Sequence, residues 1–343
     1  MPISNTTLIA GGAAMAAGFA LGLRMRRPAY SFHGRTVVIT GGSRGLGLEL
    51  ARELARQGAR LALFARDASE LARAEGELTA GGAEVLAVSC DVSDASQVAG
   101  AIDQVATRFR RLDVVINNAG LMQVAPLANL TREDFDAALG VHLYGPLATT
   151  LSALPHMRRI GGGRVVNIAS IGGKVAVPHM LPYTASKFAL VGLSDGLRAE
   201  LRRENIRVTT VCPGPMRTGS PRHALFKGKH RHEYAWFSIL DATPGLSIHS
   251  RSAARAILAA CRRGAPRLLL GVPTRLAVLL NEVAPGVAAA GAAAANRLLP
   301  SASDRGSVAR RGHESESAWT RSFLTKLSRT AAQRNNEIAP AQP

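Results

Sequence analysis

Seven short apolar runs, separated by longer amphipathic segments, constrain this chain more than any other feature of its sequence. The runs are rich in Val, Ile and Leu, and they cover residues 35–40, 60–64, 84–89, 113–117, 163–170, 206–212 and 267–271. Near-continuous apolar strands that alternate with helices are typical of a parallel sheet covered on both faces. The sequence therefore predicts an α/β fold with a doubly wound sheet, formed by one domain over residues 34–272.

Residues 1–28 form a separate apolar segment. No charged residue occurs between Met1 and Leu23, and "RMRR" follows directly at 24–27. A cleaved signal peptide carries its positive charges before the apolar run, so this order predicts a membrane anchor that leaves the domain on the cytoplasmic side. The run is short for a span and rich in Ala and Gly, which leaves a loosely packed helix and a cytoplasmic protein as the alternative.

Two further segments follow the predicted domain. Residues 273–300 are Ala-rich and interrupted by Pro285, so they predict a helical extension that packs on the domain or lies on a bilayer surface. Residues 301–343 are polar and rich in Ser and Arg. Such a composition buries little apolar surface, and we expect this tail to be disordered.

The net charge of +18 suggests an anionic partner, although an Arg- and Ala-rich coding bias explains it equally well. Only 4% of residues are aromatic, and the basic tracts lack the stacking platforms of nucleic-acid binders. We therefore expect no nucleic-acid partner. The widely spaced Cys90, Cys212 and Cys261 indicate buried thiols of a reducing compartment, and the sequence shows no metal site.

The stretch "TGGSRGLG" (40–47) lies between the first predicted strand and the first predicted helix. Glycines allow a tight turn and a close approach of the backbone to a pyrophosphate, whose charge then meets the free amides at the start of the helix. In this position the stretch predicts a Rossmann fold that binds a dinucleotide.

The end of the second strand, "LFARD" (63–67), indicates which dinucleotide is bound. An NAD site needs a carboxylate here for the ribose 2′-hydroxyl, whereas an NADP site needs a cation for the 2′-phosphate. Ala65 occupies the carboxylate position, Arg66 follows it, and Arg44 in the glycine loop supplies a second guanidinium. The pattern favours NADP(H), unless Arg66 merely pairs with Asp67 or Glu70 on the surface.

Six motifs in order resemble the short-chain dehydrogenase/reductase family across residues 34–271. They are "TGGSRGLG" (40–47), "CDVSD" (90–94), "NNAG" (117–120), "NIAS" (167–170), "YTASK" (183–187) and "PGPMRT" (213–218). The resemblance implies an oxidoreductase that transfers hydride between a nicotinamide ring and a ketone or secondary alcohol. A non-catalytic NADP(H)-binding sensor or scaffold is the alternative.

Ketone reduction also needs a proton at the substrate oxygen. Tyr183 is the expected acid, and Lys187, one helical turn later, would lower the pKa of its phenol. Ser170 would hydrogen-bond the carbonyl. The resemblance implies that Tyr183 and Lys187 also contact the cofactor, with Lys187 on the nicotinamide ribose.

The resemblance implies further cofactor contacts, carried over onto matching positions. The phosphate loop would contribute Gly41, Ser43, Gly45 and Gly47. The adenosine half would meet Asp91, Asn117 and Ala119. The nicotinamide would meet Pro213, Gly214 and Thr218.

His142 stands where the family usually has an asparagine, since "HLYG" (142–145) replaces a pattern like Asn-x-x-Gly. The resemblance makes it a candidate fourth catalytic residue, whose main-chain carbonyl would help hold a water in the proton relay. A packed core imidazole is the alternative, because the surrounding residues are small and apolar.

Residues 216–240 resemble a lid over the substrate and mix basic with apolar side chains. This mixture suggests a lipid-facing entrance, with an ordinary solvated loop as an equal alternative. His179 would either line the pocket or lie on the surface. An anchored core of this kind is similar to microsomal hydroxysteroid and retinol dehydrogenases, which implies a small lipophilic substrate at a membrane surface. The family also implies a homo-dimer or tetramer, formed through helices at 131–159 and 182–204.

Overall fold

The computed structural model describes residues 30–303, 306, 308–317, 320 and 325–338. Seven parallel strands form one sheet in the order β11–β7–β6–β4–β1–β2–β3. Their bounds are β1 Thr36–Thr40, β2 Arg60–Ala65, β3 Val85–Ser89, β4 Val114–Asn117, β6 Gly163–Ile168, β7 Ile206–Pro213 and β11 Arg267–Leu270. All seven predicted strands are confirmed, and so is the doubly wound α/β fold.

Helices follow the strands of the sheet. They are α1 Gly45–Ala55, α2 Ala68–Ala80, α3 Ala95–Phe109, α4 Arg132–Leu139, α5 Gly145–Arg159, α6 Leu181–Leu201, α7 His230–Ala242, α8 Ser250–Arg263, α9 Val272–Val283, α10 Pro285–Asn296 and α11 Lys326–Arg334. A π-helical turn, Gly140–Tyr144, joins α4 to α5. Short strands outside the main sheet are β5 Gln123–Val124, β8 Met216–Arg217, β9 Leu225–Phe226, β10 Ile248–His249 and β12 Arg310–Arg311.

The central strands are buried on both faces, as a doubly covered sheet requires. Every residue of β1 and β4 is buried. On one face, α3 and α5 pack together over a core that contains Val38, Phe64, Ile102 and Met157. On the other face, α1 packs against α8. The helices leave the carboxyl edge of the sheet to the connecting loops, where ligands of such folds bind.

At the opposite edge, Asp113 joins the starts of two strands. Its carboxylate accepts hydrogen bonds from the Arg35 side chain at 2.6 Å, the Thr36 amide at 3.1 Å and the Arg111 side chain at 2.7 Å. Burial alone would raise the pKa of this carboxyl, but the hydrogen bonds from Arg111 and Arg35 outweigh it and lower the pKa below 3.8. The ionised carboxylate therefore ties β4 to β1 at the end of the sheet away from the loops.

The predictions for the segments outside the sheet differ in how they compare with the structure. The Ala-rich extension forms α9 and α10, which are separated at Pro285 as the sequence predicts. Disorder was expected over 301–343, yet α11 is helical and buries Ala331 and Ala332. The composition misses this order because α11 packs on the domain, which outweighs its weak local preference. The predicted anchor lies within residues 1–29, outside the described residues, and none of the described helices is long and apolar enough to cross a membrane.

Candidate active site

The glycine loop turns sharply from β1 into α1, and its glycines are required by conformation or by close packing. Gly41 and Gly45 have φ of +62° and +57°, in the left-handed region that favours glycine. A Cβ at Gly47 would overlap the carbonyl oxygen of Gly41. The sequence therefore needs glycine here for conformation at two positions and for close packing at the third.

Asn118 holds this loop in place, a role that the sequence analysis missed. Its Nδ2 donates to the carbonyl oxygens of Thr40 and Gly41, both at 3.1 Å. The amides of Asn118 and Ala119 donate to Oγ1 of Thr40 at 3.0 Å. Ala119 therefore lies at the loop as expected, and the "NNAG" motif links the end of β4 to the phosphate loop.

Asn117 does not offer its side chain to the adenosine pocket. Its Nδ2 donates to Oδ1 of Asn167 at 2.8 Å inside the sheet, and the residue is buried. Successive side chains of a strand point to opposite faces, so only one of two adjacent asparagines reaches the loop. The first asparagine of the motif stabilises the pairing of β4 with β6.

The two arginines predicted to meet a 2′-phosphate have different surroundings. Arg44 donates to Oε1 of Glu70 at 2.6 Å, and Ser43 donates to Oε2 of the same carboxylate at 3.1 Å. Arg66 is 68% exposed at its side chain and faces Asp91 at 3.8 Å, rather than Asp67 or Glu70. Arg66 is therefore accessible to an anionic ligand, whereas Arg44 is held by a carboxylate.

Asp91 lies beyond the end of β3, where the family resemblance places it. Its Oδ1 accepts hydrogen bonds from the amide and the hydroxyl of Ser93, at 2.9 and 2.7 Å. Burial opposes ionisation, but these bonds and the charge of Arg66 lower the pKa of Asp91. An ionised, oriented carboxylate at this edge suits an amine donor.

The structure brings Ser170, Tyr183 and Lys187 together at the carboxyl edge of the sheet. Ser170 follows β6, and its side chain hydrogen-bonds the Tyr183 hydroxyl. Tyr183 and Lys187 lie one turn apart near the start of α6, with Nζ of Lys187 5.7 Å from the centroid of the Tyr183 ring. This Nζ donates to the carbonyl oxygen of Ile168 at 2.8 Å.

The electrostatics of this cluster differ from the expected lowering of the Tyr183 pKa by Lys187. Burial raises the pKa of Tyr183 above 10, and the hydrogen bond with Ser170 only partly opposes it. Burial also lowers the pKa of Lys187 to about 7. The ammonium is bound to Ile168 and loses part of its charge near neutral pH, so in this state it stabilises the phenolate little.

His142 lies in the π-helical turn and is fully buried. Its Nε2 accepts the amide hydrogen of Leu121 at 3.0 Å, and its Nδ1 is 2.7 Å from Oγ of Ser186. Ser186 in turn donates to the carbonyl oxygen of Tyr183 at 2.9 Å. Since Nε2 is an acceptor, Nδ1 carries the hydrogen and donates it to Ser186.

Burial, with a smaller effect of Lys187, lowers the pKa of His142 well below 6.5. The imidazole is therefore neutral, and both of its nitrogens are engaged. Its ring meets the Tyr183 ring edge-on, with centroids 5.4 Å apart. His142 thus lies beside the active site, as the resemblance implies, but its side chain fixes the start of α6 rather than carrying protons.

We expect His142→Ala to lower the unfolding free energy by about 2–4 kcal/mol, because it leaves a cavity and an unpaired buried amide at Leu121. Its kcat per folded molecule should fall by about tenfold, since Ser186 loses the group that orients it. His142→Asn retains an acceptor and a donor and should keep most of the activity. Thermal unfolding and kcat of both variants test this, and equal kcat in both would refute a positioning role.

The turn after β7, which the resemblance assigns to the nicotinamide, packs closely. A Cβ at Gly214 would overlap Oγ1 of Thr274, so glycine is required next to Pro213. Thr218 is buried, and its hydroxyl donates to Oγ of Ser220 at 2.9 Å.

An apolar wall adjoins Tyr183 on the lid side. Its residues include Met122, Val124, Val177, Met180, Phe226, Trp236 and Phe237. His179 is mostly buried with φ of +60°, and its Nδ1 is 2.9 Å from Oε1 of the fully buried Glu233. Oε2 of Glu233 accepts from the Trp236 indole at 2.7 Å. His179 therefore anchors the lid helix α7 beside the site and is not a surface residue.

Comparisons with known proteins agree with this geometry. The family model described as short chain dehydrogenase matches residues 35–225. Dehydrogenase/reductase SDR family member 7B from Bos taurus is 34% identical over 272 residues, which cover 77% of this chain and 81% of that protein.

Two solved structures share the fold and were determined with nicotinamide cofactors. A short chain dehydrogenase/reductase from Burkholderia phymatum in complex with NAD has a TM-score of 0.69 and 26% identity, over 75% of this chain and 96% of that chain. An actinorhodin polyketide ketoreductase with NADPH has a TM-score of 0.62 and 31% identity, over 69% of this chain and 95% of that chain.

Proposed function

The chain belongs to the short-chain dehydrogenase family of oxidoreductases, and we propose that it transfers hydride between NADP(H) and a lipophilic ketone or secondary alcohol. The observation that carries this proposal is the cluster of Ser170, Tyr183 and Lys187 at the same carboxyl edge of the sheet as the glycine loop. The acid Tyr183, the hydrogen-bond donor Ser170 and the amine of Lys187 lie together at the edge of the sheet where ligands of this fold bind.

The residues at this edge fit a dinucleotide. Gly41, Gly45 and Gly47 add no side chains of their own at the start of α1, which suits the close approach of a pyrophosphate to the loop backbone once the site is open. Asp91 and Arg66 would meet the adenosine half of the cofactor, and Thr218 would meet the nicotinamide. When bound, the cofactor supplies or accepts the hydride.

The protein's own residues handle the proton. In the reductive direction Tyr183 gives its phenolic proton to the developing alkoxide, and Ser170 donates a hydrogen bond to the same oxygen. A neutral, buried phenol at rest suits this role, because a raised pKa keeps the proton on Tyr183 until the substrate oxygen becomes basic. Lys187 moves the next proton toward the Tyr183 phenolate, which its pKa of about 7 permits near neutral pH.

The preference for NADP(H) rests mainly on Arg66, since Arg44 is held by Glu70. We expect Arg66→Ala to weaken NADPH binding by about tenfold, the effect of one charge-assisted hydrogen bond, and to leave NADH binding unchanged. Dissociation constants from fluorescence titration measure both. Arg132→Ala removes a cation that is 88% exposed on α4 and serves as the control. Equal loss for NADH and NADPH would contradict the assignment.

Two exposed apolar surfaces support a lipophilic substrate taken up at a membrane surface by an oligomeric enzyme. Along α9, Val272, Leu276, Leu279, Leu280 and Val283 are exposed. An apolar stripe of this kind, on a chain with a charge of +18, suits an anionic bilayer surface.

The second surface lies on the helices expected to form the subunit interface. Tyr144, Leu151 and Phe188 are 57%, 53% and 43% exposed on the π-helical turn, α5 and α6. Their burial between two copies would give a homo-dimer the apolar contact it needs.

The full chain tests the proposed function directly. We expect NADPH oxidation with apolar ketones such as steroid or retinoid analogues, and much slower oxidation with polar ketoses of similar reactivity. Tight NADPH binding without turnover across the panel would instead favour a sensor or scaffold.

A further inference from the structure

The C-terminal segment 331–338 lies across the glycine loop. The carbonyl oxygen of Asn335 accepts the amide hydrogen of Gly45 at 2.9 Å. Nδ2 of Asn336 donates to the carbonyl oxygen of Ser43 at 2.9 Å. The segment therefore occupies the Gly45 amide, a donor at the start of α1 that would otherwise be available to a pyrophosphate.

The same segment reaches the nicotinamide end of the site. Nδ2 of Asn335 donates to the carbonyl oxygen of Thr218 at 3.0 Å. Ala332 is fully buried and lies so close to Gly219 that a Cβ at Gly219 would overlap it. The segment thus bridges the glycine loop and the lid, and a dinucleotide bound along this path would meet the same atoms.

Glu337 places a carboxyl group beside the loop. Its Oε2 lies 3.4 Å from Nε of Arg44 and 3.2 Å from Nε2 of His223. A Cβ at Gly45 would come within 2.8 Å of its Oε1. Among the described residues, Oε2 has no hydrogen-bond partner, although it is buried. The Glu337 carboxyl group therefore lies against the start of α1, beside a cation, and is incompletely hydrogen-bonded.

We propose that residues 331–338 form an autoinhibitory segment, which occupies the pyrophosphate site, competes with the dinucleotide, and dissociates from the site as pH rises. This inference rests on the proposed function, because it concerns the regulation of the same cofactor site.

The pH dependence follows from the groups that face Glu337. These are Arg44 in the glycine loop, Glu70 on α2, Arg222 and His223 in the lid, and Asp241 on α7. Burial raises the pKa of Glu337 from 4.5 to about 8, because it outweighs the favourable charge of Arg44.

The pKa of Asp241 is raised in the same way as that of Glu337. Burial raises its pKa to about 7, although the Ser328 side chain on α11 donates a hydrogen bond to it. Lys229, the residue before α7, is not part of this cluster; its Nζ donates to Ser301.

The direction of the pH dependence follows from the pKa of Glu337, which is higher when the segment is docked than when it is free. Docking takes up a proton at Glu337, so the contribution of this group is complete below the free pKa of 4.5 and is lost as pH rises through about 8. Burial and the charge of Arg44 lower the pKa of His223 from 6.5 to about 4, which opposes docking below 6.5. The net loss of docking with rising pH therefore falls between about 6.5 and 8. One linked proton changes the docking equilibrium by up to about tenfold per pH unit within this window.

The first experiment uses Ala332→Asp in the full chain, which places a charge against Gly219 and should release the segment. Gln333→Asp adds the same charge one residue later, at an exposed position of α11, and is the matched control. At pH 6.5 we expect Ala332→Asp to bind NADPH at least tenfold more tightly than the wild type, and Gln333→Asp to match the wild type. Trypsin should cleave after Arg334 rapidly in Ala332→Asp, and in the wild type only when NADPH is added.

The second experiment measures the NADPH dissociation constant of the wild type and Glu337→Gln between pH 6 and pH 8. Binding to the wild type should tighten by at least about tenfold over this range. Glu337→Gln has no carboxyl group to ionise at this position, so its affinity should change less with pH.

The outcomes separate this proposal from the proposed function. Equal NADPH affinity in the wild type and Ala332→Asp, with the tail of the variant freely cleaved, would overturn autoinhibition and leave the function intact. Protection of Arg334 by NADPH would also overturn it, because the segment would then close over the cofactor. If Ala332→Asp is freely cleaved yet binds neither NADPH nor NADH, the proposed function is wrong, and the inference is overturned with it.

Discussion

Tyr183→Phe is expected to lower kcat for ketone reduction by about 10²–10⁴-fold, the contribution of a positioned general acid. The change removes the hydroxyl that hydrogen-bonds Ser170 and leaves the ring that packs beside His142. Steady-state NADPH oxidation with an apolar ketone measures the loss. The dissociation constant for NADPH should change little, because the phenol acts on the substrate oxygen.

Tyr144→Phe provides the matched control for this variant. Tyr144 lies in the π-helical turn with 57% of its surface exposed, so losing its hydroxyl should leave kcat unchanged. If Tyr183→Phe keeps a kcat within twofold of the wild type, Tyr183 is not the acid and the proposed mechanism is wrong.

Gly47→Ala is expected to weaken NADPH binding by about 10²-fold and to lower the unfolding free energy by about 1–3 kcal/mol, the usual cost of overpacking. Within a helix the same substitution would ordinarily be stabilising by up to about 1 kcal/mol. The sign reverses here because the added methyl group overlaps the Gly41 carbonyl oxygen, and the phosphate loop must shift to accept it. Isothermal titration and chemical denaturation measure the two effects.

Gly76→Ala controls for the change of residue type. Gly76 lies inside α2, and an added Cβ there meets open space. We expect this variant to be slightly stabilised and to bind NADPH normally. NADPH binding by Gly47→Ala at wild-type affinity would show that the loop tolerates the displacement and that its tight packing is not needed for the cofactor.

The sheet is predictable from the sequence because buried parallel strands are recognisable as continuous apolar runs. Strands such as β1 and β4 are apolar throughout, and the amphipathic segments between them mark the helices. The Ser170, Tyr183 and Lys187 cluster is predictable for a different reason. A four-residue spacing on one helix fixes two of the side chains, and the family motif supplies the third.

Other parts of the site depend on side-chain direction, which the motifs do not give. In "NNAG" the two asparagines face opposite ways, so Asn118 rather than Asn117 holds the glycine loop. Arg44 has the expected position, but Glu70 from the next helix accepts its guanidinium. The spacing of residues along the chain does not show which carboxylate from a neighbouring helix contacts Arg44.

The docked tail is the least predictable part, because its order comes from surfaces far away in the sequence. Its polar residues find partners in the glycine loop and the lid, including Ser43, Gly45 and Thr218. A stretch with few and small apolar residues carries little signal of such docking. A buried acid near the end of a polar tail was not distinguishable from the solvated charges around it.

The ion-pair cluster of Asp113 and the proposed autoinhibitory segment respond to different ranges of pH. Because the pKa of Asp113 lies below 3.8, its contribution to stability is present above that pH and is lost only as pH falls further. With the opposing effect of His223, the tail responds between about 6.5 and 8. Mild acidification would therefore dock the segment onto the cofactor site while the Asp113 cluster is still intact. Returning the protein to neutral pH would release the segment and restore cofactor binding without refolding.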